Sequence, residues 1–123
     1  TDTFRAGDIE LRFGDDGAIV GLDVNSSSSS WANTTNPLFA LWYQAMDYDY
    51  MWNFTRDYTI TNAQWAFDHP FGKPGLNLSM VNASAELHEL RVRRQEDSTE
   101  FHLTLRFPLA VHLERGAPVS AEL

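Results

Sequence analysis

Cysteine is absent from this chain of 123 residues, so it can form neither a disulfide framework nor a thiolate zinc site, and it has no thiol nucleophile. No apolar run approaches the ~20 residues that a helix needs to cross a bilayer. Basic residues are also few, 9 Lys and Arg against 17 Asp and Glu, for a formal net charge of -8. Nucleic-acid binding requires a basic patch. The only local one, Arg91 to Arg94, is flanked by Glu86, Glu89, Glu96 and Asp97 and reads as a solvated strand face. There is no glycine-rich phosphate loop and no Gly-x-Ser-x-Gly elbow. The four histidines, His69, His88, His102 and His112, form no HxH or HxxxH pair, so no metal site and no cofactor is expected.

What remains is a chain with 43% hydrophobic and 13% aromatic residues, enough for one folded domain over residues 1–123. Five of its seven asparagines stand in the acceptor pattern Asn-x-Ser/Thr: Asn25, Asn33, Asn53, Asn77 and Asn82. With Ser and Thr at 18 of 123 positions, chance places about one. Such an excess points to N-linked glycans and a secreted, extracellular chain, with the acceptors facing solvent because a branched polar glycan cannot be buried. The run Ser26 to Ser30 reads as a polar loop beside Asn25. No signal peptide is visible at Thr1, so a secreted chain is expected to have lost a leader or to follow a cut in a longer precursor.

Residues Ile9 to Phe13 alternate apolar and polar, Gly14-Asp15-Asp16-Gly17 interrupts, and Val20, Leu22 and Val24 resume, which predicts a hairpin with a four-residue turn. A buried strand is expected over Leu38 to Tyr43. Met51, Phe54 and Tyr58 then recur at helical spacing, with Asp47 as N-cap, and predict a short amphipathic helix near 47–57 with its aromatic face in the core. His69-Pro70 and Lys73-Pro74-Gly75 mark a loop. Leu90 and Val92, a turn at Gln95 to Ser98, and the series Phe101, Leu103, Leu105, Phe107 predict a second hairpin with His102 facing solvent. The expected fold class is mainly β: an antiparallel β-sandwich, or part of a larger one, with one short helix.

Trp31-Ala32, Asn36-Pro37-Leu38, Tyr43-Gln44, the Asp- and Tyr-rich helix ending at Tyr58, Phe71 to Leu76 and Gly116-Ala117-Pro118 follow one another in an order that resembles secreted proteins similar to glycoside hydrolase family 38 α-mannosidases. The resemblance spans most of the chain and is to the β-sandwich region after the catalytic barrel. It implies a fragment of a larger protein and an accessory, non-enzymatic role. The family's metal-binding and nucleophilic carboxylates belong to the barrel and match no position here.

Residue chemistry alone leaves further readings. Asp47, Asp49 and Asp57 lie among Tyr48, Tyr50, Trp52 and Tyr58, either as a sugar-stacking platform or as the wet side of an amphipathic helix. A carbohydrate-binding module would draw exposed aromatics from Trp31, Trp42, Trp52 or Trp65. A structural glycoprotein would join copies of itself into a fibre through sheet edges or terminal strands, anchored by Phe4, Ile9, Leu11 and Phe13 at one end and by Val119 and Leu123 at the other. The alternative to such exchange is that both termini pair within their own domain. The expected partners are therefore N-linked glycans and either copies of the chain or the rest of a glycosidase-like protein, with no nucleic acid and no membrane span.

Overall fold

A computed structural model describes residues 3–25, 29–58 and 77–123. In chain order these form β1 (Thr3–Ala6), β2 (Ile9–Phe13), β3 (Ile19–Val24), β4 (Trp42–Ala45), α1 (Tyr48–Tyr58), β5 (Val81–Ser84), β6 (Glu86–Arg94), β7 (Thr99–Arg106), α2 (Leu109–Arg115) and β8 (Ser120–Glu122). The strands make two three-stranded sheets, β1-β2-β3 and β6-β7-β8, and a pair, β4-β5. The protein is mainly β and sandwich-like. By contact density the chain divides into two compact units where the sequence reads as one domain: residues 1–43 with 83–123, and residues 44–82.

The first unit holds the core. In β7 the period of two sends Phe101, Leu103 and Leu105 to one face, continued by Phe107, and Glu100, His102, Thr104 and Arg106 to the other. Leu103, Leu105 and Phe107 join Phe13, Ala85 and Ala117 as the buried cluster. The β1-β2-β3 sheet meets this face through aromatic rings: Phe4 and Phe13 have ring centroids 5.3 and 5.4 Å from that of Phe101 and 5.9 Å from each other. Edge-on and tilted packing of this kind suits the ring quadrupoles.

Both expected hairpins form. β2 pairs with β3 antiparallel, with a bulge between Arg12 and Phe13. The connecting residues Gly14 to Ala18 close on themselves, Gly14 N–H donating to Ala18 O at 2.8 Å and Ala18 N–H to the Asp16 Oδ1 at 3.0 Å. β6 pairs with β7, and Gln95 N–H donates to Ser98 O at 2.8 Å across the turn. Both termini also pair within their own unit, β1 along β2 and β8 along β7.

A second helix corrects the expectation of one. α2 follows Pro108, whose carbonyl accepts from Val111 N–H and His112 N–H, and it stops at Gly116, which adopts φ 75 and donates to His112 O. Tyr43 anchors the end of this helix, its hydroxyl donating to Arg115 O at 2.6 Å.

The expected buried strand over Leu38 to Tyr43 is also corrected, because only Trp42 and Tyr43 of that run enter β4. Leu38 makes an isolated bridge to Ile19, and Phe39 adopts φ 57, which breaks the extended alternation and leaves it 73% exposed.

The second unit contains α1, which begins as expected, with the Asp47 carboxylate accepting from Tyr50 N–H at 2.8 Å. The aromatic face expected in a core is not there, since Phe54 and Tyr48 are exposed and no described residue of this unit is buried. Trp52 is half-buried and stacks on Tyr48 one helical turn away, with rings 14° from parallel. The loop expected at His69 to Gly75 lies outside the described residues, as do Ser26 to Ser28 and Trp65.

Candidate functional site

All five acceptor asparagines are exposed, although each sits on a different local structure. Asn25 follows β3 directly and is pinned by its own N–H, which donates to Asp8 O at 2.8 Å. Asn33 lies in a side-chain turn, its Oδ1 accepting from both Thr35 N–H and Asn36 N–H at 2.9 Å. That geometry occupies the amide oxygen and leaves Nδ2, the atom that carries an N-linked sugar, directed away from the turn. Asn53 is on α1, Asn77 stands in the turn before β5, and Asn82 is in β5. Where they are described, the hydroxyl residues two positions on, Thr35, Ser79 and Ser84, are exposed as well.

The outer face of the β6-β7-β8 sheet is a lattice of charge. Register places Arg93 opposite Glu100, Arg91 opposite His102, Glu89 opposite Thr104 and Glu86 opposite Arg106, with Glu122 beyond Thr104. Arg91 donates to both Glu89 carboxylate oxygens at 2.9 and 2.7 Å. These bonds, and then the arginine charge, hold the Glu89 carboxyl below its ordinary value of 4.5 and raise Arg91 above its own. His102 lies 3.6 Å from Glu100 and faces solvent as the alternation requires. Arg91 and Arg93 are thus matched by the acids Glu89 and Glu100 on their own sheet.

The acidic cluster of α1 does not converge. Asp47 is spent on the helix cap, Asp57 lies beside Arg56 at 3.8 Å, and Asp49 is exposed in the first turn. Among the described residues no group of three or more His, Asp or Glu is placed to hold a metal ion. Half-buried His112 uses its Nδ1–H to donate to Ala117 O at 2.6 Å, just beyond the helix stop.

The residues named as assembly anchors separate into two groups. Phe13 is 6% exposed and belongs to the core, Phe4 packs against it, and Leu11 is half-buried opposite Phe4 and Leu22 in the ladders. These three pack within their own unit. Ile9, Val119 and Leu123 are exposed, although the Leu123 backbone is bonded in both directions to Leu103. Of the aromatics considered for sugar stacking, Trp31 and Trp42 are exposed. Exposed Phe39 and the pair Leu109 and Leu113 on α2 escaped the sequence reading. The first depended on a left-handed backbone that no local pattern announces, the second on a helix whose stop signals, Gly116 and Pro118, were present.

The fold and these surfaces define a mainly-β, sandwich-like chain with exposed acceptor asparagines and a charged outer sheet. Comparison with protein-family models, with curated proteins and with solved structures gives no match to this chain. None of these comparisons links the chain to glycoside hydrolase family 38.

Proposed function

We propose that this chain is a non-catalytic, N-glycosylated extracellular β-sandwich module that works against a larger partner surface, as an accessory domain of a glycosidase-like protein does. The observation that carries the reading is the exposure of all five acceptor asparagines, including those on a helix and in a strand. A partner surface is supported by the exposed apolar side chains of the first unit, Phe39, Trp42, Leu109, Leu113 and Val119. The test is expression behind a secretion leader in a eukaryotic host, followed by enzymatic removal of N-glycans and glycopeptide mapping. Sugar is expected on Asn25, Asn33, Asn53, Asn77 and Asn82, each lost in its Asn→Gln variant. A secreted chain of unmodified mass rejects the reading.

A second reading, self-assembly into a fibre, draws on exposed Ile9, Val119 and Leu123. Its joint would be an outer sheet edge, such as that of β1 or β8, or these side chains, because the inner edges of β1 and β8 are already paired within the unit. Sedimentation over a range of concentrations separates the two: ordered filaments favour the fibre, and a persistent monomer rejects it.

A further inference from the structure

Arg91-Val92-Arg93-Arg94 contains the only adjacent basic pair in the chain, and three of its four residues are arginine. Arg91 and Arg93, both more than two-thirds exposed, project from the polar face of β6. Arg94 follows on the other side of the strand at the last rung of the ladder, opposite Thr99, and among the described residues no hydrogen bond or ion pair holds its guanidinium. Its face carries Leu90 and Val92 further along, but at the sheet's end the arginine is exposed.

We propose that the Arg94–Gln95 bond is a processing site for a serine endoprotease of the secretory route that reads clustered basic residues. The inference rests on the secretory reading above, because proteases of that class act in that compartment. A protease cleft takes its substrate as an added strand, with main-chain bonds giving affinity and alternate side chains filling pockets. β6 is an edge strand, and beyond Leu87, whose N–H is taken by Asp15 O, no other described strand lies on its outer side. Cationic side chains therefore stand at the first, second and fourth positions before the bond: Arg94 is exposed, and to enter acidic pockets Arg91 and Arg93 exchange their surface partners Glu89 and Glu100 for the acids of the cleft. The bond itself opens the turn Gln95 to Ser98, all of it exposed, the kind of loop tip where nicking concentrates.

The rungs from Arg91 opposite His102 to Arg94 opposite Thr99 and the Gln95 N–H bond to Ser98 O open for this end to enter a cleft, and none of them is made by the buried residues Leu103, Leu105 and Phe107. In the cut, water adds hydroxyl to the Arg94 carbonyl carbon, the C–N bond breaks, and the Gln95 nitrogen leaves with a proton. The products are a carboxylate at Arg94 and an ammonium at Gln95, with no cofactor or oxidant required. Residues 1–94 and 95–123 then remain together, because Leu103, Leu105 and Phe107 of the second piece are buried against Phe13 and Ala85 of the first.

The test treats the full native chain with such a basic-pair-specific endoprotease and reads intact masses and new N-termini, beside a peptide of residues 86–100. One cut, giving a new N-terminus at Gln95, is expected, with both fragments co-eluting on gel filtration. Arg94→Gln is expected to slow it at least about 100-fold, since a pocket built for a charged partner is left unpaired. Circular dichroism of the variant verifies that it folds. A native chain that resists while the peptide is cut overturns the proposal, as does a peptide that is not cut, or faster cleavage at Arg5, Arg12, Arg56, Arg106 or Arg115. The glycan analysis above reports on the secretory route separately, so an unglycosylated but cleavable chain and a glycosylated but resistant one are distinguished.

Discussion

Leu105 has no exposed surface, and the turn that closes over it is made by Gly17. A Cβ at Gly17 would collide with the Leu105 side chain, and the glycine adopts φ 78, a region that costs other residues. Both effects act together in Gly17→Ala. Overpacking and backbone strain are each worth about 1–3 kcal/mol. The variant is expected to lose about 2–4 kcal/mol in urea denaturation, at unchanged slope. Glu89 offers a contrasting case, exposed at the surface and held by Arg91. Its folded pKa is depressed, so the unfolded chain binds more protons between the two values and the stabilisation rises with pH. The advantage of the native protein over Glu89→Gln is expected to be complete above the unfolded value of 4.5 and to vanish as pH falls through the lower folded value. Denaturation curves at neutral and acid pH check the sign, and added salt should shrink the difference.

Elements were legible where a local rule sufficed. The hairpins β2-β3 and β6-β7 follow from alternation around turn residues, and α1 follows from Asp47 and a change of period. β1 and β8 are only 4 and 3 residues long and owe their existence to neighbours already in place. The run Leu38 to Tyr43 misled because hydrophobicity alone does not distinguish a buried strand from a segment held by one bridge at Leu38 and turned by Phe39. α2 was missed although Pro108, Gly116 and Pro118 bracket it, since seven residues give too few turns for a periodicity. A helix this short is held by its ends, and Tyr43 supplies one of those holds from 72 residues away. Tyr43→Phe deletes the hydroxyl's bond to the Arg115 carbonyl while the ring keeps its packing on Phe107. A loss of about 1–2 kcal/mol is expected. The same variant should show faster amide exchange at Gly116, and an unchanged rate there would mean that the hydroxyl bond does not hold the helix stop.

Across the whole molecule, the candidate acceptor sites were readable because a sequon is a pattern of three neighbours, whereas the fate of Phe4, Leu11 and Phe13 hung on pairings and ring contacts that only the folded chain brings together. The same difference separates the two compact units. In the first, Leu103 and Leu105 are buried on the central strand of their sheet, bonded to neighbours on both sides, so their amides are released only when the core is lost. In the second, α1 is capped by Asp47 but no described residue is buried, so its hydrogen bonds are protected mainly by the helix itself. Hydrogen exchange followed by mass spectrometry is therefore expected to show amides of residues 52–57 exchanging about 100-fold or more faster than those of Leu103 and Leu105. Denaturant below the global transition should leave the fast set unchanged, because local opening exposes little surface, and should accelerate the slow set steeply. Equal protection in both regions would mean that the two units open as one cooperative block, and that α1 draws its stability from the same core as β7.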